Sequence, residues 1–379
     1  MEKIAVIGAR TLGCLASADL TLRGFKVHLF EESRFKELLI PIEWSGGIEL
    51  LLERYYTIHT KPTLEFEKMG FAKIHKVTTD IEEAIKDVDI IIVAVHAYRH
   101  EDVARLMGPH LNDGQVIVIS PGNVGSLVFS KILEELDINK DILLAETCPA
   151  LYGGRFGSEY GLNDGQCVTP GPILTSPGDP KAKSILISAF PAKNTNKVLE
   201  RLKKLFKLVP GSNVLEVSLC NPNLLDHAAL SVMSASWIDR SNGKFRLHYQ
   251  ARTPSTLKVV EAIKKERDEI YKAMGWVDLY SKLPSPLPSK VPHPITLHIG
   301  PTDLKKHRFI SEDPRIGNRF LASLGDMIVV PTPTIKAVIH LASVITQTDC
   351  MKLGRTVESV GLSGMNMIQL NEFLIHGHL

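Results

Sequence analysis

The sequence predicts an α/β protein: an amino-terminal doubly wound sheet followed by a mostly α-helical carboxy-terminal domain. Three observations carry this. Short runs rich in Val and Ile alternate with helix-like stretches through the first half of the chain. The alternation stops near Pro210-Gly211. Beyond that point apolar residues recur at helical rather than strand spacing. A chain of 379 residues also exceeds what one domain usually needs. The division is therefore placed at 1–210 for the sheet domain and 211–379 for the helical one.

Taken in order, Lys3–Ile7, Val27–Phe30, Asp89–Val95 and Val116–Ser120 read as buried parallel strands, being continuous and β-branched. Leu12–Arg23, Asp80–Lys86 (capped by Thr79 or Asp80) and Val103–Leu111 read as the intervening helices. Ile142–Ala145, Gln166–Thr169 and Ser184–Ala189 are further strand candidates, and the amphipathic stretch Thr195–Leu208 closes the domain. In the second half, Leu224–Ile238, Ser255–Met274 and Thr334–Thr346 carry helical periodicity. The proline-dense segment Leu283–Pro294 cannot be regular helix, and is either a stiff connection or a loop framing a cleft.

Composition narrows the class. Net charge is +2, so no global field favours nucleic acid or an anionic membrane. No apolar run approaches the length of a membrane span, and no charged and apolar leader precedes the first strand. Cys14, Cys148, Cys167, Cys220 and Cys350 are odd in number and lack metal-ligand spacing. Reduced thiols, no metal site and a cytoplasmic location are the expectation.

Directly after the first strand stands Gly8-Ala9-Arg10-Thr11-Leu12-Gly13. This is a Gly-x-Gly-x-x-Gly turn with Arg10 in the middle glycine position. The first glycine permits the tight turn and the last lets helix pack on strand. The helix amino terminus then offers amide donors and partial positive charge to a pyrophosphate. The placement implies a Rossmann dinucleotide-binding domain. The second strand ends in Glu31, where a carboxylate accepts hydrogen bonds from the adenosine ribose hydroxyls and repels a 2′-phosphate. NAD is expected over NADP, although Arg10 and Arg34 lie near enough in sequence to neutralise an extra phosphate. A degenerate nucleotide fold, with Arg10 filling the phosphate space, is the alternative.

Several short segments, in order, resemble the opine dehydrogenase (octopine/nopaline dehydrogenase) family. They include Thr79-Asp80-Ile81-Glu82-Glu83-Ala84, Ser120-Pro121-Gly122-Asn123-Val124-Gly125 and Ala145-Glu146-Thr147 with Tyr152 and Arg155. Asn213-Val214-Leu215-Glu216, Arg308-Phe309-Ile310-Ser311-Glu312-Asp313, Val330-Pro331-Thr332-Pro333 and Gly354-Arg355-Thr356-Val357-Glu358 follow. The resemblance implies reductive condensation of an amino acid with a 2-oxo acid at the expense of NAD(P)H. It implies that His227, after Asn221-Pro222-Asn223, is the proton donor and acceptor, suited by an unperturbed pKa of about 6.5. It pairs His227 with Asp313, which would orient the imidazole and favour its protonated form. Arg308 corresponds to the arginine that holds a substrate carboxylate, a good match for a bidentate guanidinium. Asn123 and Thr147, at strand ends, correspond to positions that face substrate.

The chain departs from the family pattern around the histidine, in Leu225-Asp226-His227-Ala228, Met233-Ser234-Ala235-Ser236 and Pro314-Arg315-Ile316-Gly317, and between Tyr280 and Lys306. These departures leave the substrates open. A plain oxo-acid reductase on the same scaffold, making an alcohol without an amine, fits the same residues. So does a non-catalytic dinucleotide-binding protein. The expected partners are small molecules, with a homodimer as the assembly kept in view.

Overall fold

A computed structural model describes residues 2–58, 61–156, 173–177, 183–241, 244–283, 304 and 307–378. The chain divides into two units, Met1–Val214 with Leu283–Val291, and Leu215–Lys282 with Pro292–Leu379.

In the first unit, strands β1 (Lys3–Ile7), β2 (Lys26–Phe30), β3 (Ile48–Ile58), β4 (Lys61–Ala72), β5 (Lys76–Thr78) and β6 (Ile90–Val93) come first. Strands β7 (Val116–Ile119), β8 (Leu143–Cys148), β9 (Arg155–Phe156), β10 (Ile173–Pro177), β11 (Ser184–Phe190) and β12 (Lys207–Pro210) follow. Helices α1 (Thr11–Leu22), α2 (Ile40–Ser45), α3 (Ile81–Ile85), α4 (His100–Met107), α5 (Gly125–Glu135) and α6 (Thr195–Leu202) lie between them. The main sheet has eight strands in the order β12-β11-β8-β7-β6-β1-β2-β5. From β8 to β5 every pairing is parallel, while β11 runs antiparallel to β8. The strand order reverses beside β1, and in such sheets ligands gather at the carboxyl ends of the strands near that point. All four residues of β6 and of β7 are buried, as expected of parallel strands covered on both faces. Helix α3 starts where its cap was expected: the Asp80 side chain accepts from the Glu83 amide.

Two elements differ from expectation. Thr195–Leu208 is not one helix: α6 stops at Leu202, and Lys207–Pro210 pairs in parallel with β11 as the sheet edge. An edge is where a strand tolerates proline, so Pro210, read with Gly211 as a turn, is the last residue of the strand. A second sheet of order β4-β3-β10-β9 was not anticipated. Its long hairpin β3–β4 packs on α1, where Gly70 leaves room for Leu22. Gln166–Thr169 and, apart from Leu283, the proline-dense segment lie outside the described residues.

The regular elements of the second unit are helices among its described residues, joined by turns such as residues 347–366. They comprise α7 (Val214–Leu219), α8 (Asn223–Met233), α9 (Ala235–Arg240), α10 (Leu247–Gln250), α11 (Pro254–Met274), α12 (Arg308–Ser311), α13 (Arg319–Met327), α14 (Pro333–Thr346) and α15 (Met367–His376). Leu224–Ile238, read as one periodic stretch, breaks at Ser234. Helix α11 opens with Thr253 accepting from the Thr256 amide and with Pro254 at its first position, and ends at the left-handed Gly275. Helix α8 is the hub, packed by α11, α12 and α14. Leu230, Ile238, Phe245, Leu247, Phe309 and Ile310 form the core beside it.

Candidate active site

The glycine turn in the first unit has the geometry a diphosphate needs. Gly8 sits at φ +110°, and a Cβ there would come within 2.8 Å of the Ala94 carbonyl oxygen. A Cβ on Gly13 would lie 1.7 Å from the Gly8 carbonyl, so helix α1 can rest on the turn only without a side chain. Arg10, by contrast, caps α1 at φ −85°, an ordinary extended value that a side chain adopts without strain. It is exposed. No side chain caps α1 and no acidic residue occupies its first turn, so its amide end is open to an anion. The turn, from Gly8, Ala9 and Arg10 through Thr11 and Leu12 to Gly13, therefore fits a dinucleotide.

Glu31 is placed at the end of β2 as expected, but its carboxylate is turned inwards. It is 1% exposed. Oε2 accepts from the Ala9 amide at 2.9 Å, and Oε1 accepts from the Glu32 amide at 3.0 Å and from Arg99 Nη1 at 3.2 Å. Arg99 also pairs with Glu32, whose Oε2 lies 2.6 Å from Arg34 Nε. Arg34 Nη2 reaches Asp102 at 3.1 Å. Arg99 had no sequence signal, because it comes from the turn after β6, nearly seventy residues away.

Asn123 follows the carboxyl end of β7 and Thr147 lies at that of β8, the two segments joined by the Gly122 amide donating to the Thr147 carbonyl at 2.9 Å. Asn123 (φ 46°) and Val124 (φ 65°) are both left-handed. For a β-branched residue this conformation costs about 1–3 kcal/mol. The turn is held by Glu146, whose Oε2 accepts from the Ser126 amide and hydroxyl at 2.9 Å each, with Gly122 pressed against its side chain. The Thr147 hydroxyl donates to Ser120 Oγ at 3.0 Å and the residue is fully buried, so it shapes the turn from behind. Asn123 is half-buried.

In the second unit, His227 and Asp313, 86 residues apart, are brought together. Asp313 Oδ2 lies 2.7 Å from His227 Nδ1, with the two side chains 5% and 3% exposed. An ionised carboxylate only accepts, so Nδ1 carries the shared proton. The approach has a steric cause. Asp313 opens a π-helical turn, Pro314–Asn318, and such turns recur at functional sites. A Cβ on Gly317 would come within 1.9 Å of Leu224 Cδ2. Glycine thus lets this turn settle on the first turn of α8, where Asn318 Nδ2 donates to the Leu224 carbonyl at 2.7 Å. His227 follows three residues later.

The imidazole rests on the Phe309 ring, centroids 3.7 Å apart, with the His248 ring at 5.3 Å. The Arg308 guanidinium lies over the other partner of that stack, 4.9 Å from the Phe309 centroid, and the residue is exposed. Asp226, the residue that departs from the family pattern, is paired with Arg252 at 2.5 Å. Burial pushes its carboxyl above the usual carboxylate range, with His227 and then Arg252 pulling it back. His248, Asp226 and Arg252 were not read as site residues, since only the packing of α10 beside α8 shows that they stand there.

Comparison with known proteins decides the family. A curated opine dehydrogenase from Arthrobacter sp. (strain 1C) is 31% identical over 310 residues, covering 78% of this chain and 81% of its own length. The chain belongs to the opine dehydrogenase family. Residues 210–346 match the family described as NAD/NADP octopine/nopaline dehydrogenase, alpha-helical domain. Residues 57–124 match NADP oxidoreductase coenzyme F420-dependent. A vitopine synthase from Allorhizobium ampelinum is 21% identical over 99% of both chains. Among solved structures, an octopine dehydrogenase in complex with NADH and agmatine superposes with a TM-score of 0.68 at 15% identity, over 99% of this chain and 98% of that one. A yersinopine dehydrogenase with NADP+ bound superposes at 0.60 and 12% identity, over 99% and 98%. These neighbours share the fold. This opine dehydrogenase homologue is an NAD(P)-dependent oxidoreductase with a Rossmann-like first domain and a helical second one.

Among the described residues, Cys14, Cys148, Cys220 and Cys350 are buried thiols, and no cluster of His, Cys, Asp or Glu could hold a metal ion. Cys167 lies outside those residues. No described helix is long and apolar enough to cross a membrane.

Proposed function

We propose that this enzyme joins the amino group of an amino acid to a 2-oxo acid and reduces the resulting imine to a secondary amine. The observation that carries this reading is the buried His227–Asp313 pair, a proton donor held by a carboxylate. The reduced nicotinamide supplies the hydride. His227, through Nε2, gives a proton where negative charge develops during condensation and recovers it in the reverse direction. Asp313 holds the ring and supports the charge it carries. Arg308 binds a substrate carboxylate with its planar fork, held in place by the Phe309 face. Asn123 lines the substrate at the strand end. The order of negative and positive charge at the end of β2 favours NADH over NADPH, since Glu31, Glu32 and Asp102 outnumber Arg34 and Arg99.

NADH oxidation should be measured with pyruvate alone and with pyruvate plus a panel of amino acids. Turnover that requires an amino acid, with a secondary amine as product, supports the reading. Equal turnover with the oxo acid alone would replace it with simple carbonyl reduction. Tight NADH binding with no turnover under any condition would leave a dinucleotide-binding protein.

A further inference from the structure

We propose that Glu32 and Arg34, rather than Glu31, read the 2′ position of the adenosine ribose, and that Glu31 serves instead as the staple of the glycine turn. The inference rests on the NAD(P)H-dependent reading above and concerns which residues choose between the two dinucleotides.

Glu31 is already fully bonded within the protein. A carboxylate offers about four acceptor positions. In Glu31 the Ala9 amide takes one on Oε2, while the Glu32 amide and both Arg99 Nη atoms converge on Oε1. At 1% exposure the group has no face towards a ligand. Its bond to the Ala9 amide runs straight into the glycine turn, so Glu31 fixes the loop that would carry the diphosphate. Arg99, 6% exposed and stacked over Phe35 at 4.7 Å, secures it from behind.

Glu32 is the next residue along and is only partly buried. Its side chain is 16% exposed, and it is gripped between buried Arg99 and half-exposed Arg34. Arg34 bridges on to Asp102, itself well exposed, and lies against Phe35 at 5.1 Å. A ribose hydroxyl at the end of β2 can donate to Glu32 without disturbing this chain of charges. A 2′-phosphate brings nearly two negative charges to a group that already carries three carboxylates against two guanidiniums. Within this group it could be received only by Arg34, and only if Arg34 abandoned Glu32 or Asp102. Neutralising Glu32 removes the repulsion and releases Arg34 at the same time.

The test is fluorescence titration of the full-length protein with NADH and with NADPH, without substrate, for the wild type and for Glu31→Gln, Glu32→Gln and Arg34→Ala. The wild type should prefer NADH. Glu32→Gln should tighten NADPH by about tenfold while changing NADH by a smaller factor, so that the preference collapses. Adding Arg34→Ala to Glu32→Gln should remove that gain. Glu31→Gln should weaken both dinucleotides by similar factors and leave their ratio unchanged. Should Glu31→Gln fail to fold, the ratio in Glu32→Gln and its reversal by Arg34→Ala decide alone. An unchanged ratio in Glu32→Gln, a ratio shifted by Glu31→Gln, or a wild type that prefers NADPH overturns the inference while leaving the condensation reading intact. A wild type that binds neither dinucleotide overturns both.

Discussion

Replacing Asp313 by Asn keeps the shape of the side chain and removes its charge. The bond it makes to His227 is short, 2.7 Å, and both partners are buried. Such a charge-assisted bond contributes about 1.5–3 kcal/mol, and each 1.4 kcal/mol is a factor of ten. If that support is used when the imidazole carries charge, Asp313→Asn should lower kcat by about 10- to 150-fold. His227→Ala removes the donor itself and should lower kcat by roughly 10²–10⁴-fold, with the NADH dissociation constant nearly unchanged. The double variant should be no worse than His227→Ala, because Asp313 acts only through the ring. Steady-state kinetics on the four proteins, with NADH titrations and melting curves as controls, measure the cycle. Multiplied losses in the double variant would refute the pairing as a catalytic unit. Full activity in His227→Ala would refute the site.

Arg308→Lys keeps the charge but loses the planar fork, so KM for the carboxylate substrate should rise several-fold more than kcat falls, as initial-rate measurements would show. Gly317→Ala drives a methyl to within 1.9 Å of Leu224 Cδ2; overpacking should cost about 1–3 kcal/mol, lower Tm by several degrees, and reduce kcat more than NADH affinity. Burial lowers the Lys183 amine to about 8, below its unfolded value, so the unfolded chain binds more protons between that pH and about 10.5, and stability rises with pH through this window. Lys183→Met should reduce the rise across this window by about 1–3 kcal/mol relative to wild type in denaturant titrations across pH, whereas an unchanged rise would mean that the amine titrates normally. Arg10→Gly should weaken NADH modestly and make binding less salt-sensitive; tighter binding would mean that Arg10 obstructs the phosphates.

What the sequence made legible was whatever is local or periodic. Buried parallel strands such as Ile90–Val93 show as continuous β-branched runs, and the cap at Asp80 shows in its own side chain. The hairpin β3–β4 did not show, because period two needs one wet face. In β3 the run Ile48–Leu52 is nearly all apolar, and Glu49 and Glu53 are themselves buried, so no alternation is visible. Thr195–Leu208 misled for a related reason: Leu205 and Phe206 continue the apolar face of α6 in sequence while the chain is already turning into an edge strand. His227 and Asp313 could be named as a pair only through the family resemblance, since nothing in their local sequence joins residues 86 apart. Glu31 was placed correctly at the strand end but not in orientation, which depends on Arg99 arriving from another crossover.

The second unit keeps two tasks apart: placing the histidine and its carboxylate, and setting the charges around them. The turn that carries Asp313 is set by contacts without a charged group, Gly317 against Leu224 and Asn318 on the Leu224 carbonyl, while the His227 ring rests on Phe309 and is bonded to Asp313. The charges nearby, Asp226 with Arg252 and the exposed Arg308, hang on other positions of α8, on the segment after α10 and on α12. Exchanging one of them changes the field and the hydrogen-bonding options around the imidazole without moving the turn that holds Asp313. The 2.7 Å contact between His227 and Asp313 stands with the charged Asp226 directly beside the histidine. The energetic burden falls on Asp226 itself, a carboxyl raised by burial and pulled back by His227 and then by Arg252.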